Sequence, residues 1–361
     1  MRVPRRRWRE TLLSLVLLWG AAQGHATDSV GCAERASAGC LYAFELPGSA
    51  GRMHYYMSRS PGGTSAPAPQ SALLIMHGHP RDAERSFDTA LQAARAAGQL
   101  PQTLVVAPLY QVPEDRASHC NTPGTPVAQP GDALWTCAGW LSGEPSLGAD
   151  PIGAFNALDA LLVELARQWP SLRSITLVGF SAGAQMLQHS IGFAAEPPPG
   201  VALRYVIADP GSWLYFDPVR PLPQHSCDGA GCNWAFRAQP PEACAGYDAW
   251  KYGTQSLPAH LARDAAQARA RYTAAQVDYL EGALDSSAQK GTFYPILDKS
   301  CAAMLQGPFR LQRGLAYAAY DNTVLKPQRP RRMVVVPGCA HDVVCVIGAE
   351  AARQVLFAPP P

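Results

Sequence analysis

The stretch Ser174-Ile175-Thr176-Leu177-Val178-Gly179-Phe180-Ser181-Ala182-Gly183 decides how this chain is read. Five residues of strand-forming, mostly apolar character run into a glycine, and a second glycine follows four residues later. After Gly183 the spacing becomes helical and stays so to about residue 194. A strand, a turn of small residues and a helix therefore follow one another with a serine at the apex. A turn this tight strains the backbone at the serine and exposes its hydroxyl at the sheet edge. It also aims the next backbone N–H, that of Ala182, at any oxygen developing negative charge there. The helix N-terminus adds a field that favours such charge.

Outward from this stretch the same alternation repeats. Continuous apolar runs at 72–76, 103–107, 204–208, 276–280 and 332–336 read as strands, with helical spacing over 83–98, 151–168, 256–272 and 347–357. Residues 41–46 and 53–59 alternate as an opening strand pair, with Gly48 and Gly51 in the turn. Apolar strands separated by helices imply a parallel sheet covered on both faces. The expected fold is α/β, with a mostly parallel sheet of about eight strands. In such sheets function collects at the carboxyl ends of the strands.

Composition agrees. Of the 361 residues, 47% are hydrophobic and 16% charged, which suits a large core and excludes a solvated, disordered or nucleic-acid-binding chain. Thirty-three prolines and 31 glycines are too much punctuation for a helical bundle. The basic residues Arg2, Arg5, Arg6, Arg7 and Arg9 precede a short apolar run, 11–19, and small residues around Gly24 and Ala26. This reads as a signal peptide over 1–26, since the run is short of the roughly 20 residues a membrane span needs. Its removal takes five Arg and one Glu, so the formal net charge of +2 becomes −2. No nucleic acid and no stable membrane span is expected of the remainder, 27–361, and oligomeric state is not legible. The ten cysteines all follow the signal, as in a secreted or periplasmic protein with disulfides. Proximity suggests Cys32–Cys40, Cys120–Cys137 and Cys339–Cys345. No zinc-type spacing occurs, and no cofactor is expected.

The ends of the other strands supply partners for Ser181. After 72–76 comes His77-Gly78-His79-Pro80, where the backbone N–H of His79 could be a second oxyanion donor. After the last strand comes Pro337-Gly338-Cys339-Ala340-His341-Asp342. A serine hydroxyl is a poor nucleophile until a neutral imidazole takes its proton, and His341 follows the serine in the order such sites require. His77 and His79 precede it, His189 lies within the following helix, and His225 and His260 are set aside with the insertion after strand 204–208. Asp342 is too close to His341 along the chain to reach its ring. For the orienting carboxylate, Asp285 is preferred because it follows strand 276–280 and the Gly282 turn. Asp298 is second, and Asp209, ending strand 204–208, third. Arg81 reads either as an anchor for an acidic substrate group or as a surface partner of Asp82 or Glu84. Segment 209–254 is rich in Pro, Trp and Cys and reads as a cap-like insertion. Its aromatics, Trp213, Tyr215 and Trp250 foremost, would line a substrate wall or pack a small disulfide-stapled subdomain.

With these motifs in place, the mature chain resembles the α/β-hydrolase superfamily along nearly its whole length. Further stretches are similar to a less studied exported group within it: Ala208–Tyr215, Tyr247–Gly253, Leu297–Ala302 and Gln306–Gly314. The resemblance implies a serine hydrolase without metal or organic cofactor, and Gly282 to Asp285 matches the acid motif of that group. The reaction expected is hydrolysis of a small or polymeric carboxylic ester through an acyl-enzyme. An amidase or peptidase with the same residues, or a binding protein on the same fold, are the alternatives. The cysteine content departs from the family pattern.

Overall fold

A computed structural model describes Met1 and residues 32–61, 67–222, 227–228, 231–232, 234–240, 242 and 244–358. The signal-peptide reading, apart from Met1, and His225 lie outside the described residues. So do the side chains of Cys227 and Cys232.

Eight strands form the main sheet: β1 (Leu41–Glu45), β2 (Arg52–Met57), β3 (Ser71–Met76), β4 (Thr103–Leu109), β5 (Ser174–Phe180), β6 (Ala202–Ala208), β7 (Val277–Gly282) and β8 (Met333–Val336). Their order is β1-β2-β4-β3-β5-β6-β7-β8. β2 runs antiparallel to both of its neighbours, and from β4 onward every pairing is parallel. The interior strands β3, β4 and β5 are buried over most of their length, which explains their largely apolar sequences. The chain winds outward from β3 to β4 and then resumes on the other side with β5. The switch point between β3 and β5 opens a crevice at their carboxyl ends, and it is there that Ser181 emerges.

Helices cover both faces. On one lie α1 (Ala83–Ala96) and, near the C-terminus, α6 (Val343–Gly348) and α7 (Glu350–Leu356), packed on Ile75, Val105, Val178 and Val206. On the other lie α2 (Ala154–Gln168), α3 (Ala182–Ser190), α4 (Ala265–Ala274) and α5 (Arg310–Tyr320), around Leu74, Leu177, Ile207 and a group of aromatic side chains. α3 is buried on every side, its polar residues Gln185, Gln188, His189 and Ser190 included.

Three expectations change. The helix expected over 256–272 starts at Ala265. Asp264 accepts from Gln267 N at 2.8 Å while the Gln267 side chain accepts from Asp264 N at 3.2 Å, a capping box that outweighs the looser spacing before it. The last helix is two, α6 capped by Asp342 and α7 following Ala349. Within 209–254, residues Trp213, Leu214, Tyr215 and Phe216 belong to the core rather than to a covering insertion. Residues Arg220–Leu222 and Ala235–Arg237 then form a small antiparallel pair. Disulfides join Cys32–Cys40, Cys120–Cys137, Cys244–Cys301 and Cys339–Cys345. The first two and the last were expected. The third spans 57 residues and could not be inferred from proximity.

Candidate active site

β5 ends at Phe180, and Ser181 turns the chain at φ 57°, ψ −118°, a strained conformation for a residue with a Cβ. Its N–H is tied to Ala208 O at 2.9 Å, at the end of the neighbouring strand. Both glycines of the turn are sterically required. A Cβ on Gly179 would collide with the backbone of Gly183 and Ala184, and one on Gly183 would stand 2.5 Å from His77 O. The second contact also places the His77–His79 turn beside the serine. Ala182 opens α3, so its N–H has no helical carbonyl a turn before it.

His77 braces that neighbouring turn. Its Nδ1 faces Gly78 O at 2.8 Å and its Nε2 accepts from Tyr110 N at 3.3 Å, the pattern of a neutral ring. Burial depresses its pKa to about 4. Arg81 is neither a substrate anchor nor a surface residue. It is buried at φ 55° and donates to Cys120 O, Tyr110 O and Gln111 Oε1, pinning the turn to the segment after β4. Asp82 accepts from Gly78 N.

The structure brings three of the sequence-selected residues together. His341 Nε2 lies 2.8 Å from Ser181 Oγ, and its Nδ1 lies 2.7 Å from Asp285 Oδ2. A carboxylate can only accept, so the proton sits on Nδ1 and Nε2 is left to accept from the serine hydroxyl. His341 is 6% exposed and packs against Phe180, with ring centroids 4.7 Å apart, and edge-on to Phe293. Burial lowers its pKa below the ordinary 6.5, more than the hydrogen bond to Asp285 raises it. The ring is therefore neutral near pH 7, the form a base needs.

The loops carrying Asp285 and His341 are joined through backbone. Ala283 N donates to Val336 O at 3.0 Å, Leu284 N to Cys339 O at 2.8 Å and His341 N to Gly291 O at 3.2 Å. Gly282 allows this, since a Cβ there would stand 2.8 Å from both Cys339 O and Ala340 O. The Cys339–Cys345 disulfide closes the His341 loop onto α6. Asp342 faces away: it caps Val344 N and Cys345 N and pairs with Arg85 at the surface.

The remaining candidates sit elsewhere. Asp298 is engaged by Tyr252 OH and Ser300 N, in a separate network. His189 is buried in α3. Trp213 and Tyr215, expected as substrate-wall candidates, are fully buried. Trp213 stacks on Tyr317 at 4.3 Å, and Tyr215 meets Tyr317 edge-on and Tyr320 at a tilt. Apolar surface of that size is worth most inside. Trp250 is half-buried among Phe155, His189 and Phe193. All three make packing contacts.

Asp209 follows β6 close behind the site, and ligand-type atoms of Asp209, Asp285 and His341 lie within 4.8 Å of one another. By count they could hold a metal. Yet His341 Nδ1 and Asp285 Oδ2 are spent on each other, and Asp209 Oδ1 accepts from Gly282 N, which leaves Asp209 Oδ2 without a hydrogen-bonding partner. Two residues of this region were not singled out from sequence, Glu281 and Arg310. Glu281 shows only as an acid just after the run 276–280, and Arg310 as a cation in a segment read neither as strand nor as helix.

No family model and no curated protein matches the chain. Among solved structures it is similar to poly(aspartic acid) hydrolase-1 from Sphingomonas sp. KT-1, with 18% identity and a TM-score of 0.54 over 88% of this chain and 98% of that one. It is also similar to LpqC, a poly(3-hydroxybutyrate) depolymerase from Bordetella parapertussis, with 16% identity and a TM-score of 0.52 over 88% and 87%. Identity this low speaks for the fold alone. With the strand order and the turn at Ser181, that fold is the α/β-hydrolase fold.

Proposed function

On the α/β-hydrolase fold as premise, we propose that the protein is an exported serine hydrolase that cleaves carboxylic esters through an acyl-enzyme on Ser181. The observation that supports this most is the unbroken chain Ser181 Oγ–His341 Nε2 and His341 Nδ1–Asp285 Oδ2, at 2.8 and 2.7 Å, built on a strained strand-to-helix turn. His341 takes the serine proton as Oγ attacks the ester carbonyl, and Asp285 steadies the imidazolium that forms. The N–H groups of Ala182 and His79 stabilise the oxyanion. His341 then protonates the departing alcohol, and water, deprotonated by the same ring, releases the acid.

The two neighbours differ in their substrates. One is named for a polyester and the other for poly(aspartic acid), whose backbone bonds are amides. An amidase with the same three residues is therefore the second reading, and rates on matched ester and amide substrates separate the two.

The four disulfides among the described residues support export, because such bonds persist in oxidising compartments. Among the described residues, no helix is long and apolar enough to cross a membrane. Export through cleavage of residues 1–26 belongs to the same proposal, as does a covering role for the part of 209–254 beyond the core.

The test is intact-mass analysis after treatment with a fluorophosphonate, beside Ser181→Ala. One adduct per wild-type chain, absent from the variant, is expected. A folded, disulfide-intact wild type that stays unlabelled refutes the proposal.

A further inference from the structure

Behind Asp285 lies a set of buried charges that the proposed reaction does not use. Glu281, the fifth residue of β7, is fully buried, and neither of its carboxyl oxygens has a donor. Asp209 is equally buried. Its Oδ1 accepts from Gly282 N at 2.8 Å, and its Oδ2 has no donor. The register that pairs Ala208 with Leu280, and the bond from Asp209 N to Leu280 O at 3.1 Å, bring Asp209 and Glu281 abreast on neighbouring strands. α5 closes over them at Gly314, where a Cβ would overlap the Glu281 carboxyl. The same helix begins with Arg310, 3% exposed, whose Nη1 donates to Thr292 O at 2.7 Å and reaches Asp285 Oδ1 at 3.4 Å.

Two carboxylates facing each other in a dry pocket do not both ionise. A proton between them supplies the donor that each lacks, and leaving both bare would cost far more than protonation. One negative charge then remains on the pair and one on Asp285, against one guanidinium. We propose that Arg310 is a positioning residue for the Asp285–His341 pair, with Asp209 and Glu281 holding a single proton between them behind it. Arg310 grips Oδ1 of Asp285 so that Oδ2 is presented to His341, and its charge opposes protonation of His341. In its kinetic half the proposal rests on the reading of Ser181, His341 and Asp285 given above.

The surroundings agree. Burial raises Asp209 to about 7, although its hydrogen bond with Glu281 works the other way, and burial together with the charge of Asp209 raises Glu281 well above the usual carboxyl range. His341 is faced by Asp285 from beyond β7, Asp209 from the end of β6, Asp342 in its own loop and Arg310 from α5. Of these groups Arg310 is the one cation, and it works against a positive imidazole.

The test follows the fluorophosphonate labelling rate against pH in the full chain. In Arg310→Met, His341 is left among carboxylates, and the acid limb is expected about one pH unit higher. The plateau rate is expected roughly tenfold lower, because Asp285 loses its brace. Arg310→Lys, which keeps the charge, returns the limb toward the wild-type position, as a purely structural role would not. An unmoved limb in folded Arg310→Met overturns the proposal. Independently, difference infrared spectra at neutral pH between wild type and Glu281→Gln, or Asp209→Asn should that chain not fold, are expected to show the C=O band of one carboxylic acid. Absence of the band overturns the shared proton. If the wild type does not label at all, the Ser181 reading fails. The infrared band and a titration of the His341 Nδ1–H by proton NMR still decide on the cluster.

Discussion

Replacing Gly183 by alanine adds one methyl group at the point where helix α3 meets strand β3. That Cβ would stand 2.5 Å from His77 O, 2.7 Å from Met76 Cβ and 2.8 Å from Met76 O, against 3.4 Å for ordinary contact. None of these atoms is the free end of a flexible side chain. The helix start must therefore withdraw by about 0.9 Å, the shortfall against His77 O. Overpacking of this kind costs about 1–3 kcal/mol, too little to unfold a domain of ordinary stability. The same shift carries the Ser181 turn and the Ala182 amide away from the His77–His79 turn, and a misplacement near 1 Å costs roughly a hundredfold in rate. Thermal unfolding and the fluorophosphonate labelling rate, measured on one preparation, separate the two effects. The expected result is a folded variant with a modestly lower Tm and labelling slowed by about two orders of magnitude. A variant that labels at the wild-type rate would refute the view that the glycine fixes the geometry of the serine.

Other outcomes follow from the same geometry. Because burial holds His341 below 6.5, the neutral base persists into mild acid, and the acid limb of labelling should fall below that pH; a limb at or above it contradicts the burial argument. Breaking Cys244–Cys301 opens a 57-residue loop and should cost about 4 kcal/mol, whereas breaking Cys339–Cys345, 6 residues apart, should cost about 2 kcal/mol yet slow labelling more, as paired serine variants under denaturant and probe would show. His189 is buried, with a pKa depressed from 6.5 to about 4, so the unfolded chain takes up a proton there first as pH falls. The stability of His189→Gln relative to wild type should consequently rise between pH 6.5 and 4, by up to about 1.4 kcal/mol per pH unit, in urea titrations at several pH values.

Much of this architecture was legible because it is written in short stretches. Buried parallel strands need largely apolar runs, and 72–76, 103–107 and 174–178 had them. The position after a strand, rather than residue type, picked Ser181, Asp285 and His341 from among many polar residues, and the structure brings these three within hydrogen-bonding distance. What was not legible depends on contacts between distant segments. Nothing in Arg310-Leu311-Gln312-Arg313 distinguishes a surface helix from one whose two arginines are buried. Arg310 and Arg313 are buried because Asp285, Thr292, Gly307 and Asp298 wait for them across the fold. Trp213 and Tyr215 were placed in a covering insertion because Pro, Trp and Cys crowd the segment that follows. Their partners Tyr317 and Tyr320 lie about a hundred residues further on, in a helix that was not anticipated. The start of α4 was available in Asp264 and Gln267, a capping pair that the broader periodicity obscured.

The serine and its facing imidazole stand 160 residues apart in sequence, and they meet only because the four strands β5, β6, β7 and β8, the outer two of which carry them, lie side by side. No fragment of the chain can assemble that meeting locally. During refolding, helices such as α2 can form early from nearby contacts, while β7 and β8 must still find β6 and close the longest loops. Regain of probe reactivity should therefore be among the last events, trailing the return of helical signal. For this chain, labelling at Ser181 would serve as a clock for completion of the sheet.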